Sequence, residues 1–515
     1  MSETRPTSRA WETVSRVMAE LRALAGISNL LSWDQDTYMP ARGAEARGEQ
    51  MAALEGMVHE RLTAPALQEA LSTLEAARPD DPDRAAAVRE LSRDRARAAA
   101  VPGDLVRALA RAQSEGNLAW KAARDEERFD RFAPALARTL KLRREQAAAL
   151  RPVLEAEAAQ PGGPPPPGEV YDALLDAGEP GMRVSRLEPL FARLRGWLAP
   201  LLAEVTARPP PDDSFLRGPF EDEAQWRFTL ELIDLMGFDQ RAGRQDRSVH
   251  PFTAGLDPGD VRVTTRIFEH LPLSSVFSTL HEVGHGLYEQ QLPAALRTSV
   301  LCAAPSMGLH ESQSRLWENQ VGRSLPFWRA ALPRYVHHFP ALASVTPERF
   351  FRAVNRVERS LVRVEADEVS YNLHIVLRFE IELALLRDTL PVGDLPGAWN
   401  EASGRLLGIR PARDAEGVLQ DIHWAWGAFG YFPGYTIGNL YAASLFAAAR
   451  RSMPGLEEEI ARGELGSLRR WLGEKVHSVG RRQSAEEIVR AATGAGLTDA
   501  DFRTYLEGKY LRDLA

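Results

Sequence analysis

Cysteine is almost absent from this 515-residue sequence: Cys302 stands alone, so no disulfide can form within the chain. That excludes a disulfide-stapled scaffold and suits a reducing compartment, and a cytoplasmic location is the expectation. No thiolate-activating motif surrounds Cys302, which reads as a small buried hydrophobe and not a nucleophile. Long apolar runs are missing as well. Nothing approaches the ~18 uninterrupted apolar residues of a membrane helix, so no membrane partner is expected. Residues 1–5 lead into polar sequence without the apolar core of a signal peptide. Positive charge is not in excess: 63 Lys and Arg face 71 Asp and Glu, a net −8. With a pI near 5.9, this balance argues against a nucleic-acid partner or an anionic membrane surface.

What is present is an ordinary globular composition, 44% hydrophobic and 26% charged, with length enough for a large core. Apolar residues recur at three- and four-residue spacing, with Arg and Glu between, over 11–24, 44–62 and 85–100, which predicts helices. Residues 105–154 read as one long helix or two consecutive ones, and another long helix is predicted from about 358 to 390. The proline-rich stretches at 160–168 and 209–213 must be loops, and glycine-rich breaks fall at 427–438. Strand-like alternation is scarce. Its best case is 260–266, where β-branched residues alternate with charged ones. Neither proline-rich break is followed by a change of character, and no internal repeat is found. The prediction is an all-α, mainly helical body with a small β element, residues 1–515 forming one domain with helical subdomains.

Nine of the 11 histidines lie between His250 and His423, which marks the middle third as the chemical part. Within it, His281-Glu282-Val283-Gly284-His285 carries the strongest signal. Residues four apart share a helix face, so both imidazoles can point at one ion. Neutral imidazole suits zinc, and two of them leave room for a third protein ligand and a water. Glu282 lies about 100° around the helix from His281, placed as a general base that need not ligate the ion. Val276, Phe277, Leu280 and Leu287 supply the apolar stripe of this helix. Gly284 and Gly286 are poor helix formers, and their use here is to let a neighbouring element approach beside the metal.

No third His follows at the short metzincin spacing, because Gln291 stands there. The next candidates are His310 and Glu311, on a helical segment after Pro305. Spacing alone allows either. Two His and a Glu suit peptide hydrolysis, which favours Glu311. Downstream, Asp421-Ile422-His423-Trp424 leads into a Gly-rich segment bearing Tyr431 and Tyr435. A His and two tyrosines there are a source of oxyanion donors on a loop able to close over substrate.

These motifs, taken together, resemble the thermostable, Taq-type HExxH metallocarboxypeptidases, relatives of angiotensin-converting and thimet-type peptidases. The resemblance begins at Leu31-Ser32-Trp33-Asp34-Gln35-Asp36-Thr37-Tyr38-Met39-Pro40. It continues through His250-Pro251-Phe252, Asp260-x-Arg262-x-Thr264, His281 to Gln290, His310-Glu311-Ser312-Gln313, Arg363-Val364-Glu365-Ala366-Asp367 and Gly417-x-x-Gln420-Asp421-x-His423-Trp424. It covers nearly the whole chain. It implies a saddle-shaped helical subunit with a deep groove, usually a homodimer, that holds zinc or cobalt. The implied activity is removal of single C-terminal amino acids with broad specificity. By position, His281, His285 and Glu311 are the implied ligands, Glu282 the base, and Arg363 the residue for the substrate carboxylate. His423 and Tyr435 fall at substrate or oxyanion contacts. A carboxylate behind the zinc imidazoles is expected, but Ser314 and Arg315 occupy the places where related peptidases often carry an Asp.

The expected chemistry is water activated at the metal, with Glu282 taking its proton and returning it to the leaving amine, while Tyr435 or His423 helps hold the oxyanion. An exopeptidase also needs a group for the chain end, and the planar fork of an arginine matches a carboxylate. Arg262 and Arg363 are the candidates. The competing readings are an endopeptidase or peptidyl-dipeptidase with the same site, or a catalytically silent peptide-binding protein on the same scaffold.

Overall fold

The computed structural model describes residues 5–514; residues 1–4, the start of the stretch expected to lack a signal peptide, lie outside the described residues. The chain opens with α1 (Arg5–Thr37), α2 (Ala44–Thr63), α3 (Pro65–Ala77) and α4 (Pro82–Ala100). Proline in the first turn starts α3 and α4, and Asp81 caps α4 by accepting the Arg84 N–H. The 105–154 pattern resolves into two helices, α5 (Gly103–Asp125) and α6 (Ala133–Ala158). After the proline-rich loop come α7 (Val170–Leu175), α8 (Val184–Thr206) and α9 (Asp222–Met236).

A three-stranded sheet then precedes the motif helix: β1 (Gly243–Arg247), β2 (Thr253–Asp257) and β3 (Asp260–Thr265). β3 is central, parallel to β1 and antiparallel to β2, with Thr253 opposite Val263. Only β3 is legible in the sequence, because it buries Val261 and Val263 in alternation. β1 buries the polar Gln245 and Asp246 instead, so it carries no apolar period. α1 lies along this sheet: Asn29 Nδ2 donates to the Gly255 carbonyl at 2.8 Å and the Tyr38 phenol to Asp246 at 2.6 Å.

The motif helix is α10 (Pro272–Gln290), and α11 (Met307–Arg315) runs on into a π-helical turn at Leu316–Val321. α12 (Leu325–His338), α13 (Pro347–Val354), α14 (Tyr371–Leu386), α15 (Leu395–Leu406) and α16 (Phe432–Ser452) follow. α17 (Leu456–Ala461), α18 (Gly466–Lys475), α19 (Ala485–Thr493) and α20 (Ala500–Gly508) close the chain.

Two expectations fail locally. The long helix predicted from 358 to 390 is only α14, because side chains claim the backbone donors before it, Asp367 locally and Gln420 from far along the chain. The Asp367 carboxylate accepts from the N–H of Glu358, Val369 and Ser370, and Gln420 accepts the Arg363 N–H. The glycine-rich break at 427–438 ends early, since Pro433 sits in the first turn of α16 and starts it. Tyr435 therefore projects from a helix, not from a mobile loop.

The main hydrophobic cluster runs from Ala123 to Tyr510 and takes in the α10 stripe, with Val276, Phe277, Leu280 and Leu287 all buried. A second cluster unites α1, α3 and α4 with Val300 and Leu301. Cys302 is buried in the main cluster as a free thiol. Among the described residues no helix is long and apolar enough to cross a membrane.

Candidate active site

α10 and α11 cross at close range, and the reason is local. A Cβ at Gly284 would stand 2.7 Å from the Ser314 Cα, and one at Gly286 would stand 2.8 Å from the Phe238 ring. The bare backbone of α10 thus lets α11 and the sheet side press in, as the two glycines suggest. This approach brings His281, His285 and Glu311 together, their ligand atoms all within 4.8 Å of one another. Glu311 Oε2 lies 3.6 Å from His281 Nε2 and 3.4 Å from His285 Nε2. Two ligand atoms about 2.1 Å from one tetrahedral ion stand about 3.4 Å apart, so the donor set fits such an ion.

His310, the alternative ligand, turns away. Its Nε2 meets Glu289 Oε1 at 2.8 Å, and its ring stacks on His285 with centroids 4.5 Å apart. Burial, then the neighbouring His310, brings His285 down to about 3, so it stays the neutral imidazole a metal requires. Burial opposes the charge on Glu311, but Arg315 and both imidazoles outweigh it and hold the carboxyl well below its usual range.

The carboxylate behind the imidazoles is Glu318, on the π-helical turn. Its Oε2 lies 2.8 Å from His281 Nδ1. Burial works against its charge, but Arg315 and His281 bring it down to about 2, so it can only accept. His281 Nδ1 must therefore carry a proton, so Nε2 is the nitrogen left to ligate. Burial works against a second proton, but Glu311 and Glu318 outweigh it and raise the affinity of this ring, so a metal would displace that proton from Nε2. Arg315, where an Asp was sought, ties both acids together: Nε donates to Glu311 at 2.7 Å and Nη1 to Glu318 at 3.0 Å. A sequence signal for Glu318 does exist. It stands seven residues after Glu311, two helical turns on and about 20° off the same face.

Glu282 is buried beside this cluster, and burial, only partly offset by His281, raises its proton affinity. The Thr253 hydroxyl lies 2.8 Å from Glu282 Oε2 and 2.9 Å from the Glu282 carbonyl. Its single proton can serve either acceptor. Thr253 follows His250-Pro251-Phe252 on β2, and nothing in the sequence alone pointed to it.

On the far side of Glu311, the Arg315 guanidinium lies 4.5 Å over the Tyr371 ring, and Tyr371 meets Tyr435 edge-on at 6.3 Å. Arg363 is buried against the same rings, with its guanidinium 5.2 Å from Tyr435. Its Nε and Nη2 donate to Asp421 Oδ1 at 3.0 and 2.8 Å, and its Nη1 to the Tyr371 phenol at 3.1 Å. Arg378 donates to the other Asp421 oxygen at 2.7 Å. Burial resists the charge on Asp421, but the two guanidiniums hold its carboxyl well below the usual range. His423 Nε2 lies 3.4 Å from the Tyr435 hydroxyl, and Tyr431 closes the group 5.5 Å from Tyr435. Burial lowers His423 to about 4 and keeps both phenols protonated. Tyr431 is 41% exposed and Trp426 43%, so this end faces solvent.

Arg262 is not brought to the site. Its Nε and Nη2 each donate to Asp260 at 3.0 Å, and its guanidinium lies 4.3 Å over the Trp33 ring. It joins β3 to α1 as an ion pair and cation–π contact, and among the described residues no hydrogen bond links it to the metal-ligand cluster.

A helical body, a short sheet, a His2Glu donor set and a buried carboxylate beside it define a metal-dependent peptidase of the HExxH type. Comparison with known proteins gives the family. The family described as Carboxypeptidase Taq (M32) metallopeptidase matches residues 13–510. The thermostable carboxypeptidase 1 of Thermus thermophilus is 45% identical over 505 residues, spanning 97% of this chain and 98% of that protein. Carboxypeptidase 1 of Bacillus subtilis is 36% identical over 485 residues, 93% of this chain and 94% of that one. The crystal structure of an M32 carboxypeptidase from Deinococcus radiodurans R1 matches with a TM-score of 0.93 at 40% identity, over 98% of this chain and 99% of that one. The chain belongs to the carboxypeptidase Taq (M32) family and is a metallocarboxypeptidase, a hydrolase of peptides that uses a divalent metal.

Proposed function

We propose that the enzyme releases single amino acids from the C-termini of peptides, with broad specificity, and that Glu282 is its general base. One observation carries this reading. Asp421 offers a single negative charge to two buried guanidiniums, Arg363 and Arg378. One positive charge in this trio is left for a ligand, and Arg363 has committed three of its five N–H groups. A free chain end matches that surplus in charge and in planar shape, whereas the interior of a peptide does not.

His281, His285 and Glu311 would hold one divalent metal per subunit, zinc by the donor set and cobalt as the alternative. When bound, it supplies Lewis acidity that acidifies water and polarises the scissile carbonyl. Glu282 accepts the proton of the attacking water and delivers it to the leaving amine, with its Oε2 oriented by Thr253. Tyr435, Tyr431 and His423 line the substrate side, where a protonated phenol can donate to the developing oxyanion. Arg363 engages the substrate carboxylate. The chain acts as one catalytic domain, residues 1–515, and as a homodimer in the cytoplasm. The family resemblance supports the dimer, and the use of a single cysteine, Cys302, supports the compartment.

The test is a pair of peptides identical except for a free or amidated C-terminus, followed by mass spectrometry of the products. The free acid should yield a ladder of single-residue losses and the amide should resist. Equal cleavage of the two would favour an endopeptidase, and loss of two residues at a time a peptidyl-dipeptidase.

A further inference from the structure

Glu382 is a carboxylate outside the reaction set, yet it is wholly buried on α14. Its Oε1 accepts the Trp424 indole N–H at 2.8 Å. Its Oε2 accepts the Tyr171 phenol at 2.7 Å and the Gly430 backbone N–H at 3.1 Å. A buried carboxyl is tolerated only when donors surround it, and burial pushes this one up to about 7 despite them. Two of the three donors flank the substrate side: Trp424 follows His423, and Gly430 precedes Tyr431.

Between those two points the chain closes on itself, with the Ala428 N–H on the His423 carbonyl at 2.8 Å and the Gly427 N–H on the Trp424 carbonyl at 3.0 Å. Gly430 has a φ of 81°, and a Cβ there would stand 2.7 Å from the Leu175 nitrogen, so the turn is pressed against α7. One helical turn before Glu382, Arg378 donates to Asp421. Positions 378 and 382 share one face of α14. That face therefore grips segment 421–430 at Asp421, Trp424 and Gly430.

We propose that Glu382 is the positioning residue that sets His423 and Tyr431 in the site, through its hydrogen bonds to Trp424 and Gly430. This rests on the reading that His423 and Tyr431 meet substrate. Glutamine cannot replace it. Indole and backbone N–H groups only donate, so the amide nitrogen of a glutamine meets an obligate donor whichever way it turns. Removing the indole donor relieves the conflict on the Oε1 side, so Trp424→Phe should suppress the defect of Glu382→Gln. Tyr171 and Trp424 each give this carboxylate one hydrogen bond, but only Trp424 is chained to His423. That difference separates positioning from plain stability.

The experiment measures kcat/KM on a peptide with a free C-terminus, together with metal content and thermal midpoint, for Glu382→Gln, Trp424→Phe, Tyr171→Phe and the Glu382→Gln/Trp424→Phe double variant. Glu382→Gln should lose about tenfold or more in kcat/KM with its metal retained, and Trp424→Phe about threefold. The double variant should do no worse than Trp424→Phe. Tyr171→Phe should lower the thermal midpoint while changing kcat/KM by less than about twofold. Wild-type kinetics in Glu382→Gln, multiplied losses in the double variant, or equal kinetic losses in Tyr171→Phe and Trp424→Phe would overturn the proposal. The last comparison decides the matter even if Glu382→Gln fails to fold. His423→Ala and Tyr431→Phe, assayed alongside, test the underlying reading: full activity in both sinks that reading. Losses in them beside an unaffected Glu382→Gln sink the positioning role alone.

Discussion

Removing the Glu318 carboxylate should weaken metal binding through an imidazole it touches, although Glu318 itself is not a ligand. Its Oε2 stands 2.8 Å from His281 Nδ1 and 3.0 Å from Arg315 Nη1. While that acceptor is present, Nδ1 keeps the proton and the Nε2 lone pair faces the metal. Without it, the ring is free to take the other tautomer or to rotate. Loss of such a partner typically costs about 10- to 100-fold in metal affinity, ~1.4–2.7 kcal/mol. Glu318→Ala should fall in that range. Glu318→Gln should fall less, because its amide oxygen still accepts from Nδ1, though a neutral bond has roughly half the strength of a charged one. Arg315 keeps Glu311 through its Nε at 2.7 Å, so the third ligand stays placed in both variants. The assay is chelator competition for zinc and for cobalt, with kcat measured at saturating metal to separate occupancy from chemistry. Wild-type affinity in Glu318→Ala, or weaker binding in Glu318→Gln than in Glu318→Ala, would refute the reasoning.

Glu282→Gln should cut turnover by about 10²–10⁴-fold while the metal titration stays unchanged, and near-normal turnover would remove Glu282 from its role as base. Glu179 gives a stability test. Burial, against hydrogen bonds from the Gly308 N–H and Ser306, pushes it from an ordinary 4.5 up to about 8. A carboxyl raised in the folded state contributes fully below its unfolded value and loses that contribution as pH rises through about 8, on the order of 4 kcal/mol between pH 5 and 9. Glu179→Gln, whose amide oxygen still accepts the Gly308 N–H, should flatten that decline in thermal melts; parallel curves for variant and wild type would count against it.

Legibility in the sequence followed the range of the interactions. The α10 site reads directly because helical period places His281 and His285 on one face, and that period is a local property. The choice between His310 and Glu311 does not read this way. Adjacent residues point about 100° apart, so the rotation of α11 decides which one faces the metal. That rotation is set where Gly284 packs on Ser314 and Gln313. The partners of Arg262 do not read this way either: a motif arginine names a residue type, and the structure pairs it with Asp260, two residues away on the same strand. The segment before α14 has a helical pattern, but Asp367 and Gln420 claim its backbone donors.

The sequence by itself determined the outline: two histidines one helical turn apart with a glutamate beside them, a mainly helical body, and motifs enough to place the chain among the metallocarboxypeptidases. Tertiary structure alone decided the support around those residues. It placed Glu318 behind His281, Thr253 on Glu282, one Asp421 between two arginines, and Glu382 under the turn from His423 to Tyr431. The spacing of His281 and His285 survives in the sequence because one helix carries both at a fixed pitch. The supporting contacts join residues far apart in the chain, and no period encodes which buried donor a given carboxylate will meet.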